Sequence, residues 1–452
     1  MKILLVNPPI RTWAKPNVFP LGLGYLAAVL LNAGHEVEVL DLNVDRMSFE
    51  DAVERIKKTE FDIFGIGGIV TTYKIVKPLV NAVKDAFPKK PLMVGGSVAT
   101  SIPRTLLERT RADIACIGEG EETVVELVEA LQNGSGLESV LGIWYKDGMG
   151  NIHQNGPRPA LSNLDDLPLP AWDLFPMDEY LRNPIGAINR NKWIDGSGEA
   201  SVLSMNLNAN RGCPYPCIYC YHDFLGQGYR SRSISNVMKE IDILYKKYGV
   251  RYFHFVDDEF SLKKQYVYDF CAAIKAYADD ITWGCSGRVN LMTEDMIKTM
   301  HEAGCQQIGY GIESGSQKIL DILKKKATVQ QAKDSVRWTQ KYLGEADCSL
   351  MVGSPGETRE TVQETLDFCK ETGLTPEVIF FLTPYPGTDL YDMATKMGKI
   401  GDEEDYVLRL NEQGENIMVN MTDFSDQELN DIQQYMISEL KAWNKLRHPE
   451  SR

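Results

Sequence analysis

Positive charge is scarce in this 452-residue sequence: 48 Lys and Arg stand against 63 Asp and Glu, for a formal net charge of −15. A nonspecific nucleic-acid binder needs a basic excess to neutralise phosphates, so that class is excluded. Long apolar runs are missing too. The most apolar internal stretch, Leu21 to Leu31, carries Gly22 and Gly24 and falls short of a membrane span. The opening residues, Met1 to Pro9, are broken by proline too soon for a secretory signal. Cysteines do not come in pairs. There are nine; three fall within eight residues, and Cys116, Cys271, Cys285, Cys305, Cys348 and Cys369 are scattered. A disulfide framework is not expected, and a reducing, cytoplasmic setting is. No solenoid-period repeat or low-complexity tract is present.

What remains is an ordinary globular composition, 43% hydrophobic and 25% charged, in a length that suits two or three domains. Near the start, the short apolar runs Lys2–Asn7, Glu36–Leu42, Ile63–Gly67, Leu92–Gly96 and Ile114–Gly118 read as strands. Helical patterns lie between them, so βαβ units and a doubly wound, Rossmann-like parallel sheet are expected. Glycines at the strand ends point to a ligand over that edge. Ile143–Tyr145 and Ile152–Gln154 flank a hairpin signal. A Pro-rich connector follows, Leu167 to Phe175, and Pro184–Gly198 reads as loop.

A second alternating series starts at Val202. Its strands are Val202–Asn208, Tyr252–Asp257, Thr282–Ser286, Gln307–Glu313, Cys348–Gly353 and Val378–Pro384. Six βα units are too few for a closed eight-stranded barrel, so a partial (β/α)6 barrel is expected. Ser425 and Glu428 form a capping box. Leu429, Ile432, Met436, Leu440 and Trp443 then repeat at helical spacing. The expected division is 1–140, a ligand-binding Rossmann-like domain; 141–199, hairpin and connector; 200–392, partial barrel; and 393–452, a helical C-terminal region closing the substrate cavity.

Cys213, Cys217 and Cys220 follow the first strand of the second series. Three thiolates on one short loop can meet one inorganic centre. An iron–sulfur cluster usually takes four cysteines, so three leave one iron open, as catalytic metal sites do. A zinc site completed by His222 uses the same spacing. The loop's position at the C-terminal end of a barrel strand favours a catalytic group.

The spacing Cys-x3-Cys-x-aromatic-Cys, with Tyr219 as the aromatic, resembles the cluster loop of the radical S-adenosylmethionine (SAM) superfamily. The resemblance implies a [4Fe–4S] cluster on Cys213, Cys217 and Cys220 whose open iron binds SAM. One electron, from a donor such as flavodoxin or ferredoxin, then yields a 5′-deoxyadenosyl radical. Candidate SAM contacts are Tyr219; Asp257, Asp258 and Glu259 after the second strand; Ser286 and Arg288 after the third; Glu313 and Ser314 after the fourth; and Val352 after the fifth. Arg288 is expected to pair with the SAM carboxylate or Glu313, or to be a surface cation. Thr358 is expected to cap the next helix. Tyr229 to Arg232 supply basic residues for an anion or a solvated face. No auxiliary cluster is expected from the scattered cysteines.

Asn7-Pro-Pro9, Pro20 to Ala27, Val94-Gly-Gly96 and Gly118-Glu-Gly-Glu121 resemble the cobalamin-binding domain that precedes such barrels. The resemblance implies corrin contacts from Leu23, Gly24, Gly68, Val70, Thr71, Thr72, Gly95, Gly96, Gly118 and Glu119. The Asp-x-His-x-x-Gly motif of classical cobalamin domains is absent, and His35 lies in the wrong place to ligate cobalt. The pairing implies a cobalamin-dependent methyltransferase acting on an unactivated carbon of a small-molecule substrate. The alternative is cyclisation or rearrangement without net methyl transfer.

Overall fold

The computed structural model describes residues 1–11, 14–183, 202–221, 228–277, 280–376, 378–410, 414 and 416–447. The expected loop Pro184–Gly198 and His222 lie outside the described residues. The chain divides into two compact units. The first comprises Met1–Asn183, Tyr221–Arg232 and Ile400–Leu410; the second holds the remainder.

The first unit is a seven-stranded sheet: β1 (Lys2–Asn7), β2 (Glu36–Asp41), β3 (Ile63–Gly67), β4 (Leu92–Gly95), β5 (Ile114–Cys116), β6 (Ile143–Lys146) and β7 (Ile152–Gln154), in the order β2-β1-β3-β4-β5-β6-β7. The first five are parallel. Ile3 to Val6 are all buried, as a strand covered on both faces requires. Helices Leu21–Asn32 and Glu121–Asn133 supply Ala27, Leu30, Val124 and Leu127 to a core with Ile3, Leu5, Ile63 and Met93. The expectation of a separate hairpin segment from residue 141 is corrected. β6 pairs antiparallel with β5, Ile114 opposite Tyr145, and Ile143 and Tyr145 enter the same core. Burying them there extends the sheet and covers the β5 edge.

Two short strands, β9 (Asn210–Arg211) and β10 (Arg230–Ser231), flank the cysteine loop in sequence. The second unit is built on β8 (Ser204–Leu207), β11 (Tyr252–Phe255), β12 (Thr282–Gly287), β13 (Cys305–Glu313), β14 (Asp347–Val352) and β15 (Phe380–Phe381). All pair parallel in the order β15-β14-β13-β12-β11-β8, so the end strands do not meet and the barrel is partial. One face of the sheet is apolar: Met205, Phe253, Phe255, Trp283, Cys285, Ile308 and Leu350 are buried. Thr358 caps helix Arg359–Thr372 in a capping box, as expected. Ser425 and Glu428 bond reciprocally ahead of helix Asp426–Arg447, whose Leu429, Ile432, Met436 and Leu440 are buried.

Candidate functional site

In the second unit, the chain leaves β8 into a loop held from below by carboxylates. Asp257 accepts from the Ala209 N–H at 2.7 Å, Asn210 Nδ2 at 2.7 Å and Asn208 Nδ2 at 3.1 Å. Asp258 accepts from the Gly212 N–H at 2.7 Å. Ile218 donates its N–H to the Leu323 carbonyl and accepts from the Leu390 N–H. These bonds fix the backbone carrying Cys213, Cys217 and Cys220. All nine cysteines of the chain are free thiols. Cys217 is buried, and a hydrogen bond from the Cys220 thiol, with Lys325 and Arg288 nearby, holds it well below the usual thiol range. Burial pushes Cys213 up.

Among the described residues, no three His, Cys, Asp or Glu side chains are placed to hold a single metal ion. Zinc needs its ligands about 2.0–2.3 Å from one point. A cluster takes its thiolates on different irons, which three thiols on one loop can supply, and His222, the fourth ligand of a zinc site, lies outside the described residues.

Above the loop, β13 ends in an irregularity. Its register with β14 shifts between Gly311 and Glu313, and Glu313 takes φ +68, rare for a residue with a side chain. That turn brings Glu313 Oε1 within 2.9 Å of the Tyr219 hydroxyl and 2.9 Å of Lys325 Nζ. Lys325 is also 3.1 Å from the Tyr219 hydroxyl. Gly311 leaves room for this group, since a Cβ there would stand 3.1 Å from Lys325 Nζ. Lys325 was missed by sequence reading because it sits in a run of three lysines that reads as solvated. The structure buries only the middle one of Lys324, Lys325 and Lys326.

Arg288 does not pair with Glu313, which Lys325 already neutralises. It lies over the Tyr215 ring, 3.7 Å from the centroid, and donates to the Lys325 carbonyl and toward Cys217 Sγ at 3.6 Å. β12 ends at Gly287, so strand alternation no longer sets Arg288's direction: Ser286 is exposed and Arg288 buried.

Several expected SAM contacts have internal partners. Glu259 accepts from the Ser261 N–H and hydroxyl, and burial pushes its carboxyl up. Ser314 bonds Thr365 Oγ1 at 3.0 Å and accepts from the Ser316 N–H, a turn-building role. Val352 is fully buried and its carbonyl accepts from the Leu382 N–H. Glu357, unremarked in the sequence as a site residue, accepts from the Gly353 and Ser354 N–H groups; burial raises it to about 7.

In the first unit, strand order reverses between β1 and β3, and a cavity of about 450 Å³ opens near the C-terminal ends of β1, β3, β4 and β5. This is where open α/β sheets bind ligands. Leu23, Gly68, Gly95, Gly96 and Gly118 line it, with Leu26, Gly65 and Tyr221. Gly96 has φ +76, and a Cβ there would lie 2.6 Å from the Gly68 carbonyl oxygen. The wall is mostly apolar or bare backbone, which suits one arm of a large ligand better than a compact ion. Val70, Thr71 and Thr72 form a buried turn instead of lining the cavity. There the Val70 N–H donates to Ser97 Oγ at 3.1 Å, and Thr71 Oγ1 is buried with no hydrogen-bond partner among the described residues. The glycine cradle, where bare backbone forms the wall, fits a corrin. Gly24 serves packing: a Cβ would meet the Phe19 ring at 2.9 Å and Pro170 at 3.0 Å. His35 immediately precedes β2 at the opposite strand end, its Nδ1 3.5 Å from the Met1 amine.

Glu119 is not a cavity residue. It forms a two-pronged pair with Arg230, at 2.8 and 2.9 Å, and Arg230 also donates to the Leu161 carbonyl. Arg232 is buried, 3.4 Å from the Tyr25 hydroxyl. The two arginines are therefore neither a solvated face nor free for an anion. Part of the C-terminal region joins the first unit as well: Glu404 accepts from Tyr73 and from Lys77, each at 2.6 Å. Residues 400–410, expected in a separate C-terminal region, belong to the first unit.

A switch-point cavity in one unit and a three-thiol loop on a parallel half-barrel in the other define a two-domain class. Residues 9–128 match the B12 binding domain and residues 207–369 the radical SAM superfamily. An uncharacterized methyltransferase of Pyrococcus horikoshii is 36% identical over 404 residues, covering 87% of this chain and 83% of its own length. The anaerobic magnesium-protoporphyrin IX monomethyl ester cyclase of Cereibacter sphaeroides is 26% identical, covering 90% and 66%. The solved structure of the radical SAM methyltransferase TsrM of Kitasatospora setae, with cobalamin and [4Fe–4S] cluster bound, superposes with a TM-score of 0.69 at 20% identity, covering 88% and 75%. The chain belongs to the radical SAM superfamily, among the members whose barrel follows a B12-binding domain.

Proposed function

We propose that the protein is a cobalamin-dependent radical SAM methyltransferase acting on an unactivated carbon of a small molecule. The observation that carries this is the presence, in one chain, of the three-thiol loop and the glycine-lined switch-point cavity. When bound, the cluster and SAM supply a radical that abstracts hydrogen, and the corrin supplies a methyl group. Cys213, Cys217 and Cys220 would hold the cluster. Tyr219 on that loop, with Glu313, Arg288 and Lys325 beside it, would be the polar groups that meet SAM. Leu23, Gly68, Gly95, Gly96 and Gly118 would seat the corrin's tail. No histidine lines this cavity among the described residues. A flavodoxin- or ferredoxin-type donor in a reducing cytoplasm suits nine free thiols. No described helix is long and apolar enough to cross a membrane.

A second reading, cyclisation without net methyl transfer, is favoured by the cyclase among the relatives. Protein produced with cobalamin available should show stoichiometric corrin bands beside iron–sulfur absorption. Methyl-labelled SAM should then place its label in product. Corrin and cluster without label in any product favour the second reading, and absence of corrin overturns both.

A further inference from the structure

The barrel sheet has two unlike faces. Opposite its apolar face stand Asn206, His254, Ser286, Gly309 and Gly311. Register sets Asn206 beside His254, His254 beside Gly284, Gly284 beside Gln307, and Ser286 beside Gly309. Ser286 is exposed and His254, Gly309 and Gly311 are half-buried, so this face is open.

A hydrogen-bonded chain crosses that face. Gln307 Nε2 donates to Asp347 Oδ2 at 2.9 Å. The carboxylate turns the amide so that Gln307 Oε1 faces the Tyr252 hydroxyl at 3.2 Å. An amide oxygen only accepts, so Tyr252 donates to it. Tyr252 has then spent its one hydrogen and offers only lone pairs to His254 Nδ1, 3.2 Å away. His254 must carry its hydrogen on Nδ1. Burial holds this imidazole neutral, at about 4, so Nε2 keeps a bare lone pair. It has no hydrogen-bond partner among the described residues. Gly284 makes the chain possible: a Cβ there would collide with the Tyr252 hydroxyl and stand 3.1 Å from Gln307 Cβ. Four strands thus contribute one residue each to fixing a single imidazole tautomer.

We propose that His254 Nε2 is a hydrogen-bond acceptor for the substrate, which presents a hydroxyl or amino hydrogen to the floor of the partial barrel. The substrate class is accordingly a hydrogen-bond donor and not a hydrocarbon. This rests on the reading of the barrel as the chamber that holds substrate. Tyr252 can donate to His254 only by giving up its bond to Gln307 Oε1, which Asp347 holds in place from the other end of the amide. A substrate lacking a donor would leave the lone pair desolvated and unpaired, which costs binding.

The test is histidine side-chain nitrogen NMR on the cluster-loaded full chain, with 1,3-propanediol and its isomer dimethoxymethane as probes. The two are equal in composition, and only the diol has hydrogens to donate. His254 is expected in the Nδ1–H tautomer, its Nε2 resonance shifting with the diol and not with the acetal. Gln307→Leu and Asp347→Asn should each abolish the single tautomer, and either variant suffices if the other fails to fold. An Nε2–H tautomer, a tautomer unchanged in both variants, or equal responses to the two probes, nil included, overturns the proposal. Failure to load corrin or cleave SAM while the His254 signals behave as stated would overturn the functional reading and leave this acceptor standing.

Discussion

Lys325 Nζ lies 2.9 Å from Glu313 Oε1, and both side chains are only 8% exposed. One buried cation thereby joins the end of β13 to Tyr219, the aromatic residue between Cys217 and Cys220. Glu313 pays for its place with a left-handed backbone, the kind of strain that persists where surrounding contacts over-determine it.

Lys325→Met leaves the Glu313 charge buried and unpaired. The expected loss is about 3–5 kcal/mol of stability. Adding Glu313→Gln removes the stranded charge and should restore much of it. Urea unfolding of the two variants checks this; equal losses in both would show that the pair is not what holds the site.

Glu357 gives a pH dependence with a definite sign. Its folded carboxyl sits at about 7 against an ordinary value of 4.5. The folded chain therefore binds that proton more tightly than the unfolded chain does. Its stabilising contribution is full below 4.5, falls as pH rises toward about 7, and is lost above. Glu357→Gln should gain stability relative to the parent across that window, read as the difference between their unfolding midpoints at pH 5 to 7. A difference that does not change with pH would refute the assignment.

Arg230 and Glu119 should behave as a coupled pair. Arg230→Met alone is expected to cost up to about 3 kcal/mol, since it removes the cation from a carboxylate that keeps the Leu161 N–H. The double variant with Glu119→Gln should cost clearly less than the sum of the singles, with about 0.5–3 kcal/mol of coupling. Strict additivity in a double-mutant cycle would contradict the two-pronged geometry.

Gly96→Ala should cost about 1–3 kcal/mol, because its backbone region is open to glycine alone. It should also lower corrin retention on desalting, since the new Cβ meets the Gly68 carbonyl at the cavity wall. Gly134→Ala is the control: also at positive φ, with nothing within 4 Å of its Cβ, it should keep its corrin. Equal corrin loss in both would assign the effect to general instability.

Much of this was readable in advance. Short apolar runs located eleven of the strands of the two main sheets to within a few residues, because the buried positions of a strand leave an apolar signal in a short window. β6 and β7 were read as a hairpin, but not as part of the sheet. Glycines at the strand ends pointed to the cavity, since bare backbone there is visible as residue type. The sequence is least specific where a polar residue has several possible partners. Glu119, Ser314 and Asp257 carry ligand-type chemistry in the sequence, and in the structure each also has internal partners. A residue's chemistry shows that it needs a partner, not which of many distant groups will supply one.

The sequence by itself determined the class of chemistry: three thiols at fixed short spacing, a strand before them, and a glycine-rich sheet ahead. Those are local facts, set by neighbours in the chain. Tertiary structure alone decided that Lys325, and not Arg288, neutralises Glu313, and that Arg230 belongs to Glu119. It also decided that His254 keeps one nitrogen bare. Each of these depends on residues from separate strands or loops meeting at about 3 Å, and the orientation of a hydrogen bond is fixed only when the last member of its chain is in place.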